Sequence, residues 1–212
     1  MIILIGGEKG GTGKSTVATN LAVGFLQLKL DVMLLDADPQ ATAAKWVERR
    51  NEKNLPIVHS SQKTGDVFRT AKDLAERYDA VIIDAGGRDS KELRTAMVAA
   101  DLMYIPIKAS QADLETLPKV NELIALAKGM NPGLVAKIIL SMAPTNPVIT
   151  EVADAKELFT DFDQFGLSAV VIRERKPFRD ALLEGKSVLE LSDQKAKAEI
   201  NALIAEIMEV AQ

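Results

Sequence analysis

Short apolar runs alternate with longer stretches of helical periodicity along the whole chain. The runs Ile2–Gly6, Val32–Asp36, Pro56–His59, Ala80–Asp84, Leu102–Ile107, Val135–Met142 and Ala169–Ile172 predict strands. Several are unbroken in Ile, Leu and Val, as strands covered on both faces are. Between them fall helix-forming stretches of roughly 10–17 residues. Over Lys14–Leu28, Val17, Leu21, Phe25 and Leu28 share one helical face; over Asp193–Val210, Ala196, Ile200, Leu203, Ile207 and Val210 do the same, with Asp193 as N-cap. This alternation predicts an α/β fold: a mainly parallel twisted sheet of about 7–8 strands with helices on both faces. No repeat, low-complexity tract or linker interrupts it, so residues 1–212 are expected to form one domain, with Pro144–Pro147 as an internal loop. Ligands of such sheets bind beyond the carboxyl ends of the strands. The loops after strands one, two and four and the segment after Ile172 are therefore the places to look.

The first strand runs into Glu8-Lys9-Gly10-Gly11-Thr12-Gly13-Lys14-Ser15-Thr16, and a helix follows. Strand, glycine-rich turn and helix make the context of a P-loop. Its glycines let backbone N–H groups surround phosphate oxygens, and the helix N-terminus adds its positive dipole end. Lys14 supplies charge to the β- and γ-phosphates, and the Ser15 hydroxyl is placed to ligate Mg²⁺. The general motif has its first glycine where this chain has Glu8, and Lys9 is an additional lysine five residues before Lys14.

The second strand ends Asp36-Ala37-Asp38-Pro39-Gln40. Two aspartates two apart on a strand point the same way. One carboxylate there can support Mg²⁺ and the other can orient an attacking water. The fourth strand ends in Asp84, the form of a Walker B strand whose carboxylate holds Mg²⁺ through water. Gly86 and Gly87 after it can let backbone N–H groups meet the γ-phosphate. Arg88 reads as an arginine finger or as an ordinary loop arginine.

Lys9 to Ser15 fit Lys-Gly-Gly-x-Gly-Lys-Ser/Thr at every specified position, and here the chain resembles the deviant Walker A ATPases of the ParA and MinD family. The Asp36-x-Asp38-Pro39-Gln40 run is similar to the ParA version. The resemblance implies that Lys9 reaches across a dimer interface to phosphates bound by the other subunit. It implies that Asp38 orients the hydrolytic water and Asp36 supports the metal site. It also places base contacts near Met142–Asn146 and Ile172–Arg173, with Met142 and Ile172 as candidates. The chain begins directly in its first strand, which resembles the short ParA partition proteins of plasmids and chromosomes.

Composition narrows the function classes. The 212 residues contain no cysteine, which excludes disulfides, cysteine zinc sites, iron–sulfur clusters and a thiol nucleophile. No apolar run reaches the roughly 18–20 residues that span a membrane, and no signal peptide is evident, so the expected location is the cytoplasm. Six Phe, two Tyr and one Trp are too few to favour recognition by base stacking. The net charge is −4, so any DNA contact needs a local basic patch. One exists: Arg173 to Lys186 holds five basic and three acidic residues. Arg173, Arg175, Lys176 and Arg179 are its candidate phosphate contacts. ParA proteins similarly bind DNA without sequence preference through basic residues toward the C-terminus.

The resemblance implies an ATPase with ATP and Mg²⁺ as cofactors and an ATP-dependent homodimer. It implies nonspecific double-stranded DNA, hence nucleoid association, and a cargo-bound ParB-like partner that stimulates hydrolysis. A MinD-like membrane ATPase needs a basic-flanked amphipathic C-terminal helix. Glu199–Gln212 instead carries Glu199, Glu206 and Glu209 with no Lys or Arg. A metabolic ligase of the same superfamily would lack the crossing lysine.

Overall fold

The computed structural model describes residues 1–87, 89–146 and 159–211. Seven parallel strands among these residues form one sheet in the order β3-β2-β4-β1-β5-β6-β7. The strands are β1 (Ile2–Ile5), β2 (Val32–Asp36), β3 (His59–Gln62), β4 (Ala80–Asp84), β5 (Leu102–Ile107), β6 (Val135–Ala143) and β7 (Gly166–Arg173). The α-helices among the described residues are α1 (Lys14–Gln27), α2 (Thr42–Glu52), α3 (Phe68–Ala75), α4 (Lys91–Ala99), α5 (Gln111–Leu114), α6 (Leu117–Met130), α7 (Lys176–Glu184) and α8 (Gln194–Val210).

The period-two alternation of each strand sorts its side chains into two cores. Ile2, Leu4, Val81, Ile83 and Met103 face α3, α4 and α6. Ile3, Ile5, Leu34, Ile82 and Tyr104 face α1, α2, α7 and α8. Four of the five inner strands, β1, β2, β4 and β5, are buried along their full lengths, which is why they read as continuous apolar runs.

The edge strands depart from the expected positions. Pro56–His59 is not the third strand; β3 is the polar stretch His59–Gln62, largely exposed. An edge strand has one neighbour and needs no apolar pattern, so Ile57 and Val58 misplace it. Val58 is buried in the connection before the strand and Ile57 is exposed. The seventh strand extends beyond Ala169–Ile172 in both directions. Two of its N–H groups are taken by α8: Ala169 donates to Glu206 at 2.8 Å and Arg173 donates to Glu199 at 3.0 Å. Two glutamates seven residues apart thus close an edge that would otherwise offer unpaired donors.

The same glutamates fix α8. Glu206 also accepts from the Tyr104 hydroxyl at 2.9 Å and the Ser168 hydroxyl at 3.1 Å, with the Lys137 ammonium 3.2 Å away. Asp193 caps the helix as expected, accepting from the Ala196 N–H. No helix among the described residues is long and apolar enough to cross a membrane.

On the same layer, α2 and the end of α7 are joined through Arg50, which is wholly buried. It makes a two-pronged pair with Glu190 at 2.8 Å and donates to the Pro56 and Gly185 carbonyls. Gly185 is left-handed at φ 67°, and a Cβ there would strike the Arg50 backbone.

Candidate nucleotide site

The loop between β1 and α1 holds the residues expected for phosphate. Gly11 and Gly13 sit in the left-handed region at φ 69° and 90°, where a side chain is costly. Gly13 leads directly into α1, so the first turn of the helix opens on the loop with no side-chain cap. Lys14 is buried, and its ammonium donates to the Lys9 carbonyl at 2.5 Å across the loop. Burial pushes the Lys14 pKa down, opposed by the nearby charges of Asp84 and Asp38. A cleft of about 760 Å³ opens above, lined by Glu8 to Gly11, Gly13 to Thr16, Asp38, Pro39, Gln40, Thr42, Gly87 and Leu182. Thr12 is buried beneath the loop rather than exposed to the cleft.

Three aspartates converge at this end of the sheet. Asp36 and Asp84 are register partners on β2 and β4. Asp36 spends both oxygens on backbone: one accepts from Asp38 N–H at 3.0 Å, the other from Ala44 N–H at 2.8 Å. It therefore holds the Asp38 loop and the start of α2. Burial raises its pKa, while those N–H donors pull the other way. Asp38 is half-buried and accepts from Gln40 N–H at 2.9 Å.

Asp84 is buried and its carboxyl is pushed up to about 7. Desolvation is the main cause, with the Ser15 hydroxyl bond and Lys14 opposing it and the charges of Asp36 and Asp38 adding to it. Its Oδ2 is buried with no hydrogen-bond partner among the described residues. A carboxylate oxygen left unpaired beside a serine hydroxyl is a donor set that suits Mg²⁺ and its waters. No group of three or more acidic or histidine side chains placed to hold a metal occurs among the described residues. Mg²⁺ takes its remaining ligands from phosphate and water. The pair Ser15 and Asp84 fits the ion.

Gly86 and Gly87 have a packing reason beyond any contact with phosphate. A Cβ on Gly86 would meet the Asp38 carboxylate at 2.9 Å, and one on Gly87 would meet Gly10 N at 2.9 Å. The glycines let the loop after β4 lie directly on the phosphate loop and on Asp38. Arg88 lies outside the described residues, as do Pro147 and the rest of the stretch to residue 158.

Lys9 is at the mouth of the cleft with 42% of its side chain exposed, and its ammonium is 3.9 Å from Asp113 on α5. Glu8 pairs at 2.7 Å with Lys119 on α6. The residue that replaces the usual first glycine thus ties the loop to the α5–α6 segment. Neither contact has a signal in the sequence, because both partners lie about 100 residues away.

A second pocket of about 240 Å³ adjoins the loop, bordered by Gly11, Gly13 and Thr16 on one side. Met142 and Ile172, the candidate base contacts, line it together with Phe178 and Leu182 from α7, and Arg173, Glu174, Arg175 and Arg179 border it as well. Leu182 borders both pockets. The volume and apolar walls suit a nucleobase, with the phosphates on the loop. Met142 is at φ 51°, a left-handed conformation unusual for this residue type.

The basic segment is divided by its partners. Arg175 is 16% exposed and makes Nε and Nη2 bonds to Glu199 at 2.9 and 2.8 Å. Arg173 donates to the Pro144 carbonyl at 2.5 Å. Lys176 and Arg179 are exposed and pair along the surface, with Asp180 at 2.7 Å and Glu174 at 3.4 Å. Lys195 at the start of α8 joins Arg173, Arg175 and Lys176 around one open polar concavity. The sequence does not point to it, because it lies in the net-acidic stretch.

The model of the CobQ/CobB/MinD/ParA nucleotide binding domain family matches residues 3–188. The chain is 28% identical over 208 residues to Maintenance of carboxysome distribution protein A of Halothiobacillus neapolitanus, covering 94% of this chain and 93% of the relative. It is 27% identical over 184 residues to the chromosome-partitioning ATPase Soj of Thermus thermophilus, covering 73% and 74%. Its fold matches the septum site-determining protein MinD from Pyrococcus horikoshii, solved with Mg-ADP. The TM-score is 0.75 at 20% identity, over 99% of this chain and 96% of that one.

Proposed function

Because the chain belongs to the CobQ/CobB/MinD/ParA nucleotide-binding family, we propose that it is an ATPase that positions a cargo through ATP-dependent dimerisation. One observation carries this reading. Lys9 stands half-exposed at the cleft mouth, its ammonium 3.9 Å from Asp113, while Lys14 already serves the same loop from within. A second lysine at the mouth has chemical use when another subunit's phosphates face it.

In this reading Lys14 and the loop amides hold the β- and γ-phosphates. Ser15 and Asp84 would hold Mg²⁺, with Asp36 behind them. Bound there, it would neutralise charge on the phosphate oxygens. Asp38 accepts a hydrogen bond from the attacking water and sets its line of approach. Asp36 keeps Asp38 in place through the backbone contact at 3.0 Å. Met142, Ile172, Phe178 and Leu182 seat the base. The relatives support the positioning role through their names, carboxysome distribution and chromosome partitioning.

The ATP dimer would bind double-stranded DNA without sequence preference through Lys176 and Arg179 of both subunits, with Arg173 and Arg175 behind them. The protein would then be cytoplasmic and associated with the nucleoid, and a cargo-bound ParB-like protein would trigger hydrolysis. No membrane step is included, since Glu199 and Glu206 hold α8 against the sheet.

Sedimentation of wild type and Lys9→Ala with a non-hydrolysable ATP analogue tests the reading. The expected result is a wild-type dimer that binds random duplex DNA. The variant should bind nucleotide but stay monomeric and leave DNA free. A Lys9→Ala protein that dimerises like wild type removes the crossing role and returns the chain to the metabolic-ligase alternative.

A further inference from the structure

Ser141 lies near the end of β6, far in sequence from the phosphate loop. It is 1% exposed, and its hydroxyl donates to the Thr12 carbonyl. The strand is irregular here: the β6–β7 register shifts between Leu140 and Ala143, and Met142 turns left-handed between them. That irregularity turns two successive residues toward the phosphate loop and the pocket beside it. Met142 lines the base pocket, and Ser141 reaches the loop. A Cβ placed on Gly13 would lie 3.4 Å from the Ser141 oxygen, so the approach is close on both sides of the Thr12–Gly13 peptide.

A trans peptide is planar, and its C=O and the following N–H point in opposite directions. Tying the Thr12 carbonyl to Ser141 therefore aims the Gly13 N–H away from β6. Ser141 borders the base pocket alone, whereas Gly13 borders both pockets, so the side away from Ser141 is the phosphate cleft. Glycines at 10, 11 and 13 make this stretch free to rotate its peptide planes at little cost. The loop's own side chain does not fix the plane, because the Thr12 hydroxyl oxygen is buried with no hydrogen-bond partner among the described residues.

We propose that Ser141 is a positioning residue for phosphate. Its hydroxyl locks the Thr12–Gly13 peptide so that the Gly13 N–H is presented to the nucleotide. Ser141 touches no phosphate itself; it acts through the peptide it holds. Without it the Thr12 carbonyl is left buried and unpaired, and the peptide turns to find another donor. The Gly13 N–H then leaves the phosphate side.

The inference rests on the reading of the cleft as an ATP site. Calorimetry with Mg²⁺ on wild type, Ser141→Ala and Ser141→Thr separates the two. Ser141→Ala should bind both ATP and GTP about tenfold or more weakly, as loss of one charge-assisted hydrogen bond implies. The ratio of ATP to GTP affinity should stay at the wild-type value, because the Ser141 hydroxyl is spent on the Thr12 carbonyl and the other residues of the base pocket are unchanged. Ser141→Thr keeps the hydroxyl and should recover most of the loss. A variant with a lower melting temperature but wild-type ATP affinity makes Ser141 merely structural and overturns the proposal. A changed ATP to GTP ratio overturns it too, by moving its action to the base. Wild-type protein that binds no ATP rejects the reading of the site instead.

Discussion

At the ends of β1, β2 and β4 the phosphate side of the site is built from three short contiguous stretches, residues 8–16, 36–42 and 84–87, which line the cleft or lie directly beneath its lining. Along β6 and β7 the wall is assembled from scattered residues, among them Ser141, Met142, Ile172, Phe178 and Leu182, on three elements, β6, β7 and α7. The first wall handles charge. Its residues are polar, several are buried, and their pKa values are displaced by desolvation and by each other. The second wall supplies shape, and its lining is largely apolar. Phosphate chemistry needs donors at fixed spacing in one loop, while a base pocket needs only surfaces that meet in space.

The sharpest way to break the charged wall is to remove its two working groups separately. Lys14→Ala deletes the one buried cation of the loop and should reduce ATP affinity by about 100-fold or more, since it removes several charge-assisted bonds to a triphosphate at once. Asp38→Ala should keep ATP affinity within a few-fold and lower turnover by roughly 10²–10³, the scale of losing a group that positions a proton acceptor. Calorimetry and a phosphate-release assay distinguish them. Turnover at the wild-type rate in Asp38→Ala would remove that residue from the mechanism.

Legibility follows the same division. Lys14, Ser15, Asp36, Asp38 and Asp84 are readable because each belongs to a local pattern at the end of an apolar strand. Strands β1, β2, β4 and β5 are readable because burial on both faces leaves no polar alternation. β3 is misplaced because its pairing is carried by backbone on a polar edge. Phe178 and Leu182 carry no signal, since an apolar residue on a helix reads as core whether or not a pocket opens beside it. The basic segment is readable as charge, but the capture of Arg175 by Glu199, twenty-four residues away, is not.

A second test sharpens the electrostatic side. The Asp84 carboxyl is pushed from its ordinary value of 3.8 up to about 7. The folded state thus holds this proton more tightly than the unfolded chain does. The ionised group costs nothing below about pH 4. The cost grows between about pH 4 and 7 and is complete above 7. Asp84→Asn removes that cost, on the order of 4 kcal/mol at most. Without nucleotide the variant should melt about 5–10 °C higher than wild type at pH 8, with the advantage shrinking toward pH 4. With Mg²⁺ and nucleotide the order should reverse, because only the wild-type carboxylate adds ligand-linked stability. An equal gain at pH 4 and pH 8 would place the effect in packing rather than in charge.

The smallest effect separates the two kinds of basic residue outside the cleft. Lys176 and Arg179 are exposed, and surface pairs of this type contribute about 0–1 kcal/mol to stability. Replacing both with alanine should leave the melting temperature unchanged. Removing one cation from a DNA phosphate lowers the salt slope of binding by about 0.9, so the ATP dimer should bind random duplexes more weakly and with a shallower slope. Arg175 is held in two bonds by Glu199, whose other oxygen accepts from the Arg173 N–H on the sheet edge. Arg175→Ala leaves that carboxylate half-buried and short of donors. It should lower the melting temperature by a few degrees, and Glu199→Gln in the same chain should recover part of it. The guanidinium is already neutralised, so the salt slope in Arg175→Ala should stay at the wild-type value. If Arg175→Ala instead flattens the slope while Lys176→Ala with Arg179→Ala does not, the DNA face lies toward α8 and Lys195, and Glu199 releases Arg175 when DNA arrives.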